Sequence, residues 1–194
     1  MREAKITRTT KETDISAELS LDGSGTYEID TGIGFFDHML SGFAKHGFFD
    51  LKLKAKGDLN VDGHHTVEDC GIVLGEALKQ AVGDKKGMKR YGFFILPMDD
   101  ALLLAAVDFC GRPYFSWDVE IREERCGEFE TVLAKEFFQA VANSAAINLH
   151  IHKLSGENGH HILEAAFKAF GKAVDMACSM DERIDGVLST KGTL

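Results

Sequence analysis

Two short segments carry most of the chemistry open to this chain. His64-His65-Thr66-Val67-Glu68 and His160-His161-Ile162-Leu163-Glu164 share one pattern, each follows a glycine, and each opens a run with helical apolar spacing. On a helix the first histidine and the glutamate stand at i and i+4 and share a face. The second histidine is turned roughly 100° around the axis. One metal ion can take His64 with Glu68, or His160 with Glu164, while His65 and His161 must reach elsewhere. The repeat predicts two metal centres, each able to borrow the odd histidine of the other copy. Histidine pairs at helix starts are often solvated surface, and one short match is weak. The second copy argues for metal: together the two segments hold four of the eight histidines.

Two further histidines can complete the shells. His38 falls on a short helix of the first half. His150 falls in Asn148-Leu149-His150-Ile151-His152, where strand alternation puts His150 and His152 on one face. Three histidines and one glutamate per ion suit a divalent transition metal. With positions to spare, Mn2+ or a similar ion could also accept a nitrogen or oxygen ligand from a substrate. His46 and His152 receive no ligand role from spacing. Several cations sit where a phosphate grip would need them: Arg90 before an apolar strand, Arg112 in a tight turn, Lys168 at i+8 from His160, and the terminal Ser189-Thr190-Lys191-Gly192. Arginine forks and lysine point charges are what phosphate recognition uses.

The elements that must position these groups read twice along the chain. Ile15 to Leu21 alternate as a half-buried strand, Asp22-Gly23-Ser24-Gly25 is a turn, and Tyr27 and Ile29 resume the alternation, which predicts a hairpin. Phe35 to Phe43 have helical spacing with a stop at Gly47. Leu51, Leu53 and Ala55 form an amphipathic strand, and the first histidine helix runs to Gly83. After Lys86 to Lys89 the order starts again. Phe93–Pro97 and Ala101–Asp108 predict a buried hairpin, Tyr114–Ile121 a strand and Val132–Val141 a helix, before the strand of His150 and the second histidine helix. The expected fold is α+β and internally duplicated, with halves at 1–88 and 89–194. Each half has a four-stranded sheet with two helices on one face, and the helix layers pack together.

Composition narrows the classes. The chain has 194 residues, enough to bury a core without staples. No apolar run approaches the ~20 residues of a membrane span. The N-terminus lacks the apolar stretch of a signal peptide, and four scattered cysteines with no C-x-x-C pair predict free thiols in the cytoplasm. A net charge of −9 disfavours nucleic acid, yet leaves room for a small anionic partner.

The segments GIGFFDHML, GDLNVDGHHTVEDCGIVLGEAL, CGRPY, HHILEAAFKAFGKAV and STKG closely resemble the imidazoleglycerol-phosphate dehydratase family. The resemblance runs from Ile6 to the C-terminus. It departs at Gly42, where the family commonly has glutamine. It implies the substrate D-erythro-imidazole glycerol phosphate, the product imidazole acetol phosphate, two Mn2+ ions per active site, and trimers assembled into a 24-subunit shell with sites between subunits. It implies the metal ligands His38, His64, His65, Glu68, His150, His160, His161 and Glu164. The phosphate contacts it implies are Arg90, Arg112, Lys168, Ser189, Thr190 and Lys191. His46 would line the pocket, and Glu12, His65, Glu68 and Glu164 would serve catalysis, with Glu12 an acid/base group.

The implied reaction explains such a site. The substrate has no carbonyl to acidify the carbon that loses its proton, and its imidazole ring can serve instead. Metals at both ring nitrogens stabilise an imidazolate. That ring expels the side-chain hydroxyl to give a diazafulvene-like species, and proton loss then yields an enol of the ketone. Two other readings compete. A hydrolytic two-metal enzyme would use metal-activated water, but such sites are usually richer in carboxylates. A non-catalytic protein could use the metals only to staple an oligomer. An imidazole-bearing phosphate that binds where simple esters do not separates the first, and turnover after metal reconstitution separates the second.

Overall fold

In the computed structural model, which describes residues 2–193, the chain builds one topology twice. The first copy runs β1 (Glu3–Thr9), β2 (Thr13–Ser20), β3 (Tyr27–Asp30), α1 (Gly34–His46), β4 (Asp50–Gly57) and α2 (His64–Val82). The second begins with β5 (Tyr91–Met98), β6 (Ala101–Asp108) and β7 (Tyr114–Asp118). A small hairpin follows, β8 (Arg125–Cys126) with β9 (Phe129–Glu130). It closes with α3 (Leu133–Ala145), β10 (Asn148–Ser155) and α4 (Gly159–Cys178). The four-stranded sheets have the orders β1-β2-β4-β3 and β5-β6-β10-β7. These are the same order in corresponding strands. In each copy the helix between the third and fourth strands is a crossover that leaves those two strands parallel, while the other pairs are antiparallel.

The α+β class, the duplication, the four-stranded sheets and the β5–β6 hairpin agree with the sequence reading. The hairpin expected between residues 15–21 and 27–29 does not form. Thr13–Ser20 instead pairs with Glu3–Thr9, a strand the sequence reading missed, and Tyr27–Asp30 pairs in parallel with Asp50–Gly57. The alternation of Tyr27 and Ile29 specifies a face but not a neighbour. β1 turns only one fully buried side chain, Ala4, to the core, so its apolar signal is faint.

The two helix layers meet in the middle. Phe36, Met39, Leu40 and Phe43 of α1, and Leu163, Ala166, Phe167, Phe170 and Val174 of α4, are the buried stripes of their helices. Phe43 stacks on Phe170 at 5.2 Å, and Phe138 of α3 meets Phe167 at 4.7 Å. The helices α2 and α3 approach closely because Gly71 and Gly75 present no side chain to α3. A Cβ at Gly71 would stand 2.6 Å from the Phe137 carbonyl oxygen, and one at Gly75 2.7 Å from that of Val141. Through α3, this packing ties the two histidine helices to each other. Among the described residues, no helix is long and apolar enough to cross a membrane.

Candidate metal centre and phosphate pocket

Both histidine helices begin where a side chain satisfies a free backbone N–H, as helix N-termini require. The His64 amide donates to Asp62 Oδ1 at 2.8 Å, and the His161 amide to Asn158 Oδ1 at 3.2 Å. The i, i+4 pairs form as the helical spacing demands. His160 Nε2 lies 3.2 Å from Glu164 Oε2, and His64 Nε2 lies 3.9 Å from Glu68 Oε2. His38, reaching across from α1, places its Nε2 3.5 Å from the same Glu164 oxygen. The ligand atoms of His38, His160 and Glu164 all lie within 4.8 Å of one another, the only such group of histidines, cysteines or carboxylates among the described residues. Burial pushes the Glu164 carboxyl up. The Lys168 ammonium, 2.7 Å from its other oxygen, and the two histidines pull it back below the usual glutamate range.

The odd histidines diverge. The rings of His64 and His65 are at 85° to one another, and those of His160 and His161 at 75°. Each odd ring is held by a carboxylate through Nδ1: His65 by Asp58 Oδ2 at 3.0 Å and His161 by Asp100 Oδ1 at 2.7 Å. These hydrogen bonds raise both imidazole pKa values. Asp100 is itself fixed, accepting the amides of Glu157 and Asn158 at 2.6 and 3.0 Å. A carboxylate on one ring nitrogen is the common support of a metal-bound histidine, because it sets the tautomer and aims the other nitrogen outward. Here His65 Nε2 faces Glu12 Oε1 at 3.9 Å and His161 Nε2 faces Asp99 Oδ2 at 3.5 Å. His150 lies on β10 beside His152 and Tyr114, with ring centroids 6.1 and 5.4 Å away. Within one chain, then, His38 joins His160 and Glu164, and His64 joins Glu68. His65, His150 and His161 join neither group. The donor set fits a divalent transition-metal ion, since it pairs imidazole nitrogens with single carboxylates and braces two of the rings from behind.

The phosphate candidates gather separately. After α4 the tail folds back on the junction between the halves, where the Gly87 amide donates to the Gly186 carbonyl at 2.8 Å. Arg90 Nη1 donates to the Leu188 carbonyl at 2.9 Å. Ser189, Thr190 and Lys191 thereby reach Arg90 and Arg112 in a pocket of about 730 Å3, which Arg183 also lines. Arg90 is largely committed to structure, its guanidinium forked onto Asp108 at 2.7 and 3.1 Å. Lys168 is elsewhere, beside Glu164. His46 is exposed at the end of α1, and a Cβ at position 42 would stand 3.6 Å from the Lys168 side chain.

Sequence reading missed Asp58, Asp100 and Arg183. Each is one charge among many, and no fixed spacing ties it to the histidine motifs. Only the doubled Asp99-Asp100 in the predicted hairpin turn offered a cue. Another surface concavity, about 750 Å3, lies over the first sheet among Lys5, Glu18, Glu28 and Lys52 and holds none of the candidate residues.

Comparison with known proteins converges on one group. Residues 31–174 match the sequence profile described as "Imidazoleglycerol-phosphate dehydratase". A protein of that name from Lachnoclostridium phytofermentans is 61% identical over 193 residues, covering 100% of this chain and 98% of the relative. One from Caldanaerobacter subterraneus is 59% identical, covering 100% of both. Among solved structures, the imidazoleglycerol-phosphate dehydratase of Staphylococcus aureus superposes with a TM-score of 0.84 at 38% identity, covering 92% of this chain and 99% of its own. IGPD from Pyrococcus furiosus also gives 0.84, at 43% identity, covering 97% and 100%.

Proposed function

Because the chain belongs to the imidazoleglycerol-phosphate dehydratase family, hydro-lyases of histidine biosynthesis, we propose that it dehydrates D-erythro-imidazole glycerol phosphate to imidazole acetol phosphate on two divalent metal ions, Mn2+ first among them. The observation that carries the metal reading is the pair of carboxylate-braced histidines, His65 and His161, beside the preassembled His38–His160–Glu164 group. One ion would be held by His38, His160, Glu164 and His65, the other by His64, Glu68, His161 and His150. Within one chain neither set is complete, so neighbouring copies would supply the remainder. Trimers assembled into a 24-subunit shell would meet this need. The outer face of the second sheet supports association, since Tyr91, Phe93, Ile95 and Tyr114 are 48–61% exposed there. The four free cysteines accord with a cytoplasmic setting.

Bound ions would supply Lewis acidity that favours the imidazolate form of the substrate ring. The chain's own groups do the rest. Arg112, Lys191, Ser189 and Arg183 would grip the phosphate and fix one end of the substrate. Asp58 and Asp100 would hold His65 and His161 in one orientation. Glu12 would act at the substrate side chain, as one of the groups that move a proton while the C–O bond breaks and the C–H proton is lost. The resulting enol becomes the ketone by tautomerisation. Metal-activated hydrolysis is the weaker reading, because each proposed ion has a single carboxylate ligand. The test is incubation of the Mn2+-loaded protein with imidazole glycerol phosphate, following ketone formation. Metal-dependent ketone is expected; full turnover after metal removal verified by elemental analysis contradicts the proposal.

A further inference from the structure

The hairpin that carries Glu12 is tied to the first histidine helix by a buried carboxylate, and we infer that Asp69, Thr13 and Arg8 form a clamp that positions Glu12 against His65. The inference rests on the proton-transfer role proposed for Glu12. Asp69 stands at i+4 from His65, on the same face of α2 and about one turn, ~5.4 Å, along it. It is 7% exposed, a burial that carboxylates adopt only with partners. Both of its oxygens are taken by the hairpin. Thr13 Oγ1 donates to Oδ2 at 2.5 Å, and Arg8 Nε donates to Oδ1 at 2.9 Å.

From Thr13 the connection continues to the tip. Thr13 Oγ1 lies 3.2 Å from Thr10 Oγ1, and that hydroxyl accepts the amides of Glu12 and Thr13 at 3.1 and 3.0 Å. The Thr10 amide closes the turn on the Thr13 carbonyl at 2.8 Å. The backbone of Glu12 is thus linked by hydrogen bonds to the helix that carries the proposed metal ligands His64, His65 and Glu68. Its exposed side chain needs this, because among the described residues only His65, 3.9 Å away, approaches its carboxylate as an ion pair. A residue at a hairpin tip is ordinarily mobile. Chemistry at a fixed carbon needs the acid/base group held to a fraction of an ångström.

The clamp residues touch neither substrate nor metal in this scheme, so they are positioning residues. The test is a cycle of Thr13→Val and Glu12→Gln, alone and together, with kcat and KM, thermal melting and bound metal measured for each. Misplacing a reacting group by about 1 Å can cost on the order of 100-fold. Thr13→Val should lower kcat about 10- to 50-fold, with KM within about twofold and metal content unchanged. Thr13→Ser, which keeps the hydroxyl, should restore most of the rate. In the Glu12→Gln background, Thr13→Val should add less than about twofold, since residues acting as a unit are not additive. If Thr13→Val folds poorly, Arg8→Gln breaks the more exposed arm of the clamp and should show the same non-additivity. Fully multiplicative losses, or an unchanged kcat in Thr13→Val and Arg8→Gln, overturn the clamp while leaving Glu12 in its role. A silent Glu12→Gln removes the role of Glu12 itself, and the clamp with it.

Discussion

At the scale of single residues, each histidine motif needs two kinds of help, and only one was visible in the sequence. The i, i+4 glutamate follows from helical geometry, so His64–Glu68 and His160–Glu164 could be paired by counting. The braces on the odd histidines could not. Asp58 precedes its histidine by seven residues through a loop, while Asp100 reaches His161 from another hairpin altogether. If these braces aim the metal-binding nitrogens, Asp100→Ala should weaken Mn2+ binding roughly 10- to 100-fold, read by chelator competition. An unchanged affinity would mean that Asp100 only caps the loop before α4.

A second acidic residue makes a pH prediction away from any metal. Asp50 accepts the Ser24 and Thr26 amides, both at 2.9 Å, and the Thr26 hydroxyl at 2.7 Å. These bonds pull its pKa down to about 2, below the ~3.9 of an unfolded aspartate. A depressed carboxylate stabilises the fold above its unfolded pKa, and that contribution is lost as pH falls through the folded value. Asp50→Asn should therefore cost about 1 kcal/mol near neutral pH. Denaturant titrations should show the gap narrowing from about pH 4 toward pH 2, and a pH-independent gap would refute the linkage.

At the scale of elements, the helices were more legible than the strands. Apolar stripes at helical spacing named the buried faces of α1, α2 and α4. Strand alternation named faces but not partners, so the parallel pairing of β3 with β4 was out of reach. The candidate phosphate pocket was half legible. Arg112 and Lys191 stood out as cations beside turns, but their meeting depends on how the tail returns to the junction of the halves. The close contact of α2 with α3 was hidden because a glycine in a helix is locally unfavourable and explains itself only through its neighbour. Gly71→Leu should lower unfolding free energy by about 1–3 kcal/mol or more, because the carbonyl of Phe137 leaves no space. A neutral effect in urea unfolding would show that the two helices can separate at little cost.

At the scale of the whole molecule, duplication produces two histidine–glutamate pairs, His64–Glu68 and His160–Glu164, of which only the second is joined by a third candidate ligand among the described residues. The sheets differ in the surface they turn outward: the first carries paired charges such as Lys54–Glu28 at 2.7 Å and Lys5–Glu18 at 2.6 Å, the second exposed aromatic rings. If ions are shared between copies, chelation at neutral pH should shift a large particle to smaller folded species, and Mn2+ should reverse it. Sedimentation before chelation, after it and after metal return would show this. A particle that survives complete metal removal would mean that sheet contacts alone hold the copies together.

The most direct measurement is a crystal structure of the Mn2+-loaded protein with the ions located by anomalous scattering. Crossed shells require one ion on His38, His160 and Glu164 with His65, and a second on His64 and Glu68 with His161 and His150. His64 and His65 on the same ion, or no ion beside Glu164, would contradict them.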